Sequence, residues 1–147
     1  PSLLPPRVAV HFGLGGVADG WASRDAFPWM ALLPALVIGV VFDLLQIMFA
    51  CVPGRWLKVP NRDYWLSREN LPRMRAICRE FMYELGIVVQ LFLAFATVMV
   101  ILANRVQPVR LHEPVFLWAL GALLAYSLFW NIRFIRAFRE EALKKIP

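Results

Sequence analysis

Few side chains in this sequence have the types and spacing that catalysis or metal binding requires. His11 and His112 are the candidate metal ligands, because imidazoles together with carboxylates bind zinc or copper. Their spacing matches neither the i, i+4 pair of a helical metal site nor a short Cys/His doublet. No Ser-His-Asp or Cys-His arrangement and no pair of catalytic carboxylates is indicated either. The sequence therefore predicts a non-enzymatic protein with no metal or other cofactor.

A carboxylate in an apolar environment is the second unusual feature. Asp43 is the only charged residue in an otherwise apolar stretch of 24 residues, and a carboxylate within a bilayer costs about 2.5–3.5 kcal/mol on insertion scales. One interpretation is a structural ion pair with Arg133 or Arg136, or a protonated carboxyl group. A proton or ion pathway is another. The third is a hydrogen-bond cluster between helices that includes Gln46 and Gln90.

Membrane-spanning helices are the elements that must position these residues. Hydrophobic residues make up 60% of the 147-residue chain, against about 45–50% apolar content in soluble domains. Three apolar stretches each reach the roughly 20 residues that cross a bilayer as a helix. We therefore expect an all-α membrane protein of one domain. Its predicted segments are an external loop motif at 1–26, spans at 27–52, 85–104 and 114–134, a cytoplasmic loop at 53–83, an external loop at 105–113 and a cytoplasmic tail at 135–147.

The distribution of basic residues predicts the orientation of these spans. Lysine and arginine number two before the first span, seven between the first two, two in the next loop and five from Arg133, at the end of the third span, onward. Cytoplasmic loops retain positive charge, so the N-terminal segment should lie outside and the C-terminus in the cytoplasm. The net charge of +6 is then explained by topology and by anionic lipid headgroups. A nucleic-acid partner is not predicted, because the basic residues flank spans instead of lining a groove with aromatic residues.

Two smaller elements are also predicted. Apolar residues recur at spacings of three and four from Leu71 to Leu85, which indicates an amphipathic helix at 71–84 that continues into the second span. This helix either lies on the lipid surface or binds a cytoplasmic partner through its basic side. Outside, Arg7 to Phe12 alternates as a short strand does, and the glycines from Gly13 to Gly20 indicate a compact turn.

Two motifs resemble those of a bacterial family of membrane proteins with a domain of unknown function, which includes the SdpI proteins. The first motif is Leu4-Pro-Pro-Arg-Val-Ala-Val-His-Phe12 followed by Gly16-Val-Ala-Asp-Gly-Trp21, and the second is Val59-Pro-Asn-Arg-Asp-Tyr-Trp-Leu66. The resemblance implies a helical membrane domain of the bacterial inner membrane, with a fourth spanning helix before the first motif. It also implies the candidate structural or interaction residues, to which Asp43 is added from its own position: His11, Phe12, Gly16, Asp19, Gly20, Trp21, Asp43, Asn61, Asp63, Tyr64 and Trp65.

Two functions are expected from these features. The first is a non-catalytic accessory or scaffolding subunit that packs against a larger membrane complex, with the lipid bilayer and other membrane-protein subunits as partners. Small residues such as Gly121 and Ala122 would let neighbouring helices approach closely. The alternative, which the resemblance implies, is an SdpI-like immunity and signal-transduction receptor that binds an external peptide and a cytoplasmic regulator.

Overall fold

The computed structural model describes residues 4–53, 56 and 60–143, apart from the side chains of 140–143. Two short strands precede three long helices and one short helix. In chain order the elements are β1 (Arg7–Phe12), a 3-10 turn (Leu14–Gly16), β2 (Ala18–Ser23), α1 (Phe27–Cys51), α2 (Arg62–Trp65), α3 (Leu71–Ala103) and α4 (Glu113–Leu143).

Helices α1, α3 and α4 are long and apolar enough to cross a membrane, which confirms the predicted all-α membrane fold with three spans. The first begins and ends within one residue of the predicted 27–52 span. Helix α3 joins the predicted amphipathic segment to the second span in 33 continuous residues. Its proline, Pro72, lies in the first turn, where the missing N–H breaks no helical hydrogen bond.

Helix α4 continues beyond residue 134, where the sequence predicts a tail. The reason is an apolar face that persists past that point, because Phe134 and Phe138 are one turn apart with ring centroids separated by 4.9 Å. Phe138 is fully buried. Burial of this face stabilises helical structure in a segment whose charged residues otherwise suggested a solvent-exposed end.

Strands β1 and β2 form an antiparallel hairpin. Strand β1 matches the predicted strand, whereas β2 occupies part of the segment that was predicted to be only a turn. Its register pairs Val8 with Ala22, Ala9 with Trp21 and His11 with Gly20, with irregularities on either side of His11. Glycine and alanine have little intrinsic preference for strands, so this strand exists through its pairing with β1.

Contacts divide the chain into two units, each of which contains parts of α1, α3 and α4. The first comprises Pro1–Ile38 and Val88–Leu123, and the second comprises Gly39–Ile87 and Leu124–Pro147. In the first unit the buried residues belong to the hairpin, to its turn and to the ends of the helices beside it: Val8, Ala9, Gly16, Phe27, Met99, Ala103 and Asn104. In the second unit a buried cluster consists of Trp65, Met74, Cys78 and Phe138, and we call it the Trp65 cluster.

Candidate functional site

The hairpin brings together the two ionisable residues of the first motif. His11 Nδ1 lies 2.5 Å from Asp19 Oδ1, and the two side chains are 76% and 51% exposed. Gly20 is opposite His11, where an added Cβ would lie only 2.7 Å from the Cβ of His11. Glycine is therefore required at position 20, since any side chain there would displace the histidine.

These residues do not form a metal centre with their described neighbours. Among residues 4–53, 56 and 60–143, no group of three or more His, Cys, Asp or Glu side chains could hold a metal ion. His112, the other candidate, lines a mainly apolar cavity with Val115 and Arg110. The His11–Asp19 pair is instead an exposed ion pair or hydrogen bond on the hairpin surface.

The remaining residues of the first motif shape and attach the hairpin. Gly16 adopts φ +71° and is buried against the loop between α3 and α4, where an added Cβ would lie 2.2 Å from Leu111 O. The main-chain N–H of Leu111 donates to Gly16 O at 2.9 Å. Phe12 pairs with Ala18, and the Trp21 ring lies 6.0 Å from the guanidinium of Arg7. Glycine at position 16 thus allows the main chain of the hairpin turn to approach that of Leu111 closely, and a larger residue there would prevent this contact.

Asn104, which the sequence analysis did not select, fastens the hairpin to the end of α3. Its Oδ1 accepts a hydrogen bond from Ala9 N at 2.7 Å, and its Nδ2 donates to Ala9 O at 2.9 Å. Nδ2 also donates to Val100 O at 2.9 Å. The side chain pairs with both main-chain groups of one residue, as a neighbouring strand would. Asparagine directly after an apolar span was the only sequence signal for this role.

The second motif is split between buried and exposed positions. Trp65 is fully buried, and its Nε1–H donates to Phe138 O at 2.9 Å. Tyr64 is half-buried, with its ring 5.1 Å from that of Trp65. Asn61 precedes α2 in the left-handed region at φ 54°, a conformation that asparagine tolerates better than most residues. Asp63 is exposed. The motif therefore places the aromatic side chain of Trp65 between α3 and α4. Its polar residues Asn61 and Asp63 lie at the start of the short helix that ends at Trp65.

A second polar cluster, which the sequence analysis also missed, lies between α3 and α4 in the same unit. Glu84 Oε1 accepts from Tyr126 Oη at 2.5 Å and from Arg133 Nη1 at 2.6 Å. The Arg133 guanidinium lies 5.3 Å from the Phe81 ring centroid and 5.7 Å from that of Phe129. Tyr126 and Arg133 are seven residues apart and so share one face of α4. This group, the Glu84 cluster, gives a carboxylate and a guanidinium at the edge of the apolar region their compensating partners.

The predicted pairing of Asp43 with Arg133 or Arg136 is wrong for the residues that the structure describes. Arg133 pairs with Glu84, and among the described residues Asp43 has neither a hydrogen bond nor an ion pair. Gln90 donates to Ala35 O at 2.8 Å and so forms no cluster with Asp43. The prediction used depth along the helices alone. Asp43 is on an exposed face of α1, so depth did not suffice to identify a neighbour.

The comparisons with known proteins reach only the hairpin and the start of α1. Residues 2–38, about a quarter of the chain, match the model of a family described as a domain of unknown function (DUF1648). No curated protein and no solved structure matches the chain. The match agrees with the sequence resemblance at the level of a domain of unknown function. It includes His11, Gly16 and Asp19, whereas Asp43 and Asn104 lie beyond it.

Proposed function

We propose that this chain is a non-catalytic subunit of a bacterial inner membrane, where it packs against another membrane protein as an accessory or scaffolding subunit. Helix α1 is the proposed contact surface. The observation that carries the proposal is the position of Asp43, an exposed carboxylate in a helix where Phe27 is the only buried residue.

Burial divides the surface of α1 into two faces. Half-buried residues recur at helical spacing along one stripe, which consists of Ala31, Ala35, Ile38, Gly39, Phe42, Leu45, Gln46 and Phe49. Asp43 lies outside that stripe, with Val40 one turn before it and Ile47 one turn after it. These two neighbours are 55% and 58% exposed. The described residues therefore cover one face of α1, and the face that carries Asp43 stays exposed.

Lipid alone is a poor environment for the Asp43 face. An unpaired carboxylate at membrane depth costs about 2.5–3.5 kcal/mol, and such residues in known membrane proteins usually face a bundle interior or pair with one another. Asp43 is eight residues before Cys51, which corresponds to about 12 Å along the helix. A partner helix with a lysine, arginine, histidine or hydrogen-bond donor at that depth would remove the cost, and this chemistry defines the proposed partner.

Site-specific photocrosslinking in native membranes tests this proposal. A photoreactive residue at Val40 or at Ile47 is expected to give a covalent adduct with one membrane protein. The matched control is Leu128 on α4, which is 65% exposed and should give lipid adducts only. Asp43→Ala should abolish the protein adduct, while Asp43→Asn should keep it if the carboxyl is neutral in the complex. Lipid adducts alone at all three positions would contradict the proposal.

A receptor related to the SdpI proteins is the second candidate, and it is favoured by the exposed tip of the hairpin. Leu14 is 96% exposed, and the His11–Asp19 pair is exposed on the neighbouring strands. An apolar side chain beside a polar pair suits the binding of an amphipathic external peptide, with the 53–83 segment as the proposed contact for a cytoplasmic regulator.

Cell survival tests the receptor candidate. Cells that express the chain would be challenged with secreted membrane-active peptides, and the Leu14→Ser variant should lose any protection that the chain confers. The control is Leu117→Ser on α4, a residue that is 53% exposed. Equal protection by the Leu14→Ser variant and the unchanged chain would refute the peptide-binding role.

A further inference from the structure

We propose that a basic cavity beside the first turns of α3 binds the phosphate group of an anionic phospholipid. The cavity measures about 340 Å³ and is formed within the second unit. It is lined by Ala50, Arg68, Leu71, Pro72, Arg75, Ala76 and Arg79. This site is separate from the Asp43 face of α1, and the inference does not depend on the proposed subunit role.

Three guanidinium groups give the cavity its charge. Arg68 and Arg79 are exposed, and neither has an ion-pair partner among the residues that the structure describes. Arg75 is half-buried and donates from Nη2 to Val52 O at 3.0 Å. Its Nε–H is buried and has no acceptor in the described part of the chain. Guanidinium groups form charge-assisted, often bidentate hydrogen bonds with phosphate, so the donors here match that ligand.

The main chain at the start of α3 adds to the positive electrostatic potential of the cavity. Leu71 and Pro72 are the first two residues of α3, a helix of 33 residues, and both line the cavity. The N-terminus of a helix carries a partial positive charge, which favours anions, although the Leu71 N–H already donates to Ser67 O at 3.0 Å. A helix start and three arginines therefore act together, and no carboxylate is among the described lining residues.

The apolar part of the lining identifies the source of the phosphate. Leu71, Pro72 and two alanines make up the rest of the wall, and the same helix goes on into the predicted membrane span. A soluble phosphate would leave these groups unused, whereas a phospholipid brings glycerol and acyl carbons to them. Basic pockets beside transmembrane helices bind anionic lipid headgroups in this manner.

Native mass spectrometry of the full chain in a neutral detergent tests the proposal with phosphatidylglycerol as the probe. We expect tighter binding of the first phosphatidylglycerol molecule than of phosphatidylcholine. A basic side chain near a membrane surface contributes roughly fivefold in affinity for anionic lipid. Arg68→Gln/Arg79→Gln should therefore weaken phosphatidylglycerol binding roughly 25-fold. Binding of phosphatidylcholine should change little.

The matched control has the same charge change outside the cavity. Arg136→Gln/Arg139→Gln removes two exposed arginines of α4 and should leave the affinity for the first phosphatidylglycerol within about twofold, if the site is localised. Circular dichroism confirms that both double variants keep their helices. Equal weakening in the two double variants would overturn the proposal in favour of diffuse attraction. Displacement of phosphatidylglycerol by millimolar glycerol phosphate would contradict the inference that the bound phosphate group belongs to a phospholipid.

Discussion

Replacement of Asn104 by alanine should release the hairpin from α3. Ala9 is fully buried, and the Asn104 side chain satisfies both its N–H and its C=O. The substitution leaves two buried main-chain groups without partners, and each such group costs about 1–3 kcal/mol. Val100 O loses little, because the N–H of residue 104 still donates to it at 3.2 Å. The total expected loss in the free energy of hairpin opening is therefore about 2 kcal/mol or more.

Hydrogen exchange measured on the detergent-solubilised protein follows this opening directly. A loss of about 2 kcal/mol corresponds to roughly 30-fold faster exchange for amides that exchange through local opening. The acceleration should be confined to residues 7–23, which form the hairpin. Amides in the middle of α3 and α4 should exchange at their original rates, because their hydrogen bonds do not depend on the hairpin.

Two control variants separate this effect from a general loss of stability. Asn131→Ala removes an asparagine that is exposed and donates only to Ser127 O within its own helix, at 3.1 Å. Arg110→Ala retains the bridge between Val17 and residue 110, because that pairing involves main-chain groups. Both variants should exchange like the unchanged protein. Unaltered hairpin exchange in the Asn104→Ala variant would refute the reasoning.

Three further tests concern the packing of the hairpin and of the helices. In a double-mutant cycle by chemical unfolding, Glu84→Gln and Arg133→Gln should show a coupling free energy of about 0.5–3 kcal/mol, and additive effects would show that the 2.6 Å contact contributes nothing. Trp65→Phe should lower the free energy of unfolding by about 1–3 kcal/mol, because an indole hydrogen bond and core volume are lost; an unchanged midpoint would disprove this role. Gly20→Ala should accelerate hairpin exchange, since its Cβ would lie 2.7 Å from that of the opposing residue, whereas Gly121→Ala has open space and should stabilise α4 by up to about 1 kcal/mol. Equal effects of the two glycine variants would contradict the steric argument.

The helices could be predicted from the sequence because their cause is local. A long, mainly apolar stretch such as Phe27–Cys51 has its length set by the bilayer and its hydrogen bonds within the segment. Strand β1 could also be predicted, because the alternation of its residue types is visible within six residues. Strand β2 could not be predicted, because its residues adopt an extended conformation only when they pair with β1. The extended conformation of β2 depends on a contact with another segment, and the pattern of residues within β2 does not indicate that contact.

The polar contacts were hardest to predict for a related reason. The sequence suggested Asp43 as the partner of Arg133 from depth along the helices, and depth does not say which face of a helix a side chain occupies. Arg133 pairs with Glu84 because the two side chains are on facing sides of α3 and α4. Tyr126 donates a second hydrogen bond to the same carboxylate there. The role of Asn104 depends on a residue 95 positions earlier. Sequence reasoning identified the types of residue that matter but not the pairs.

The extent of the family match bears on what the matched segment requires. Residues 2–38 contain the hairpin and the start of α1, yet the groups that satisfy Ala9 and cover Gly16 belong to Asn104 and Leu111. The matched segment cannot bury its own β1 backbone without them, since an unpaired buried N–H or C=O is costly. In this chain the matched segment therefore depends on a donor and an acceptor that lie outside it, both on the side chain of Asn104. Asp43 also lies beyond the match, so its exposed carboxylate is a property of this chain that the shared segment does not explain.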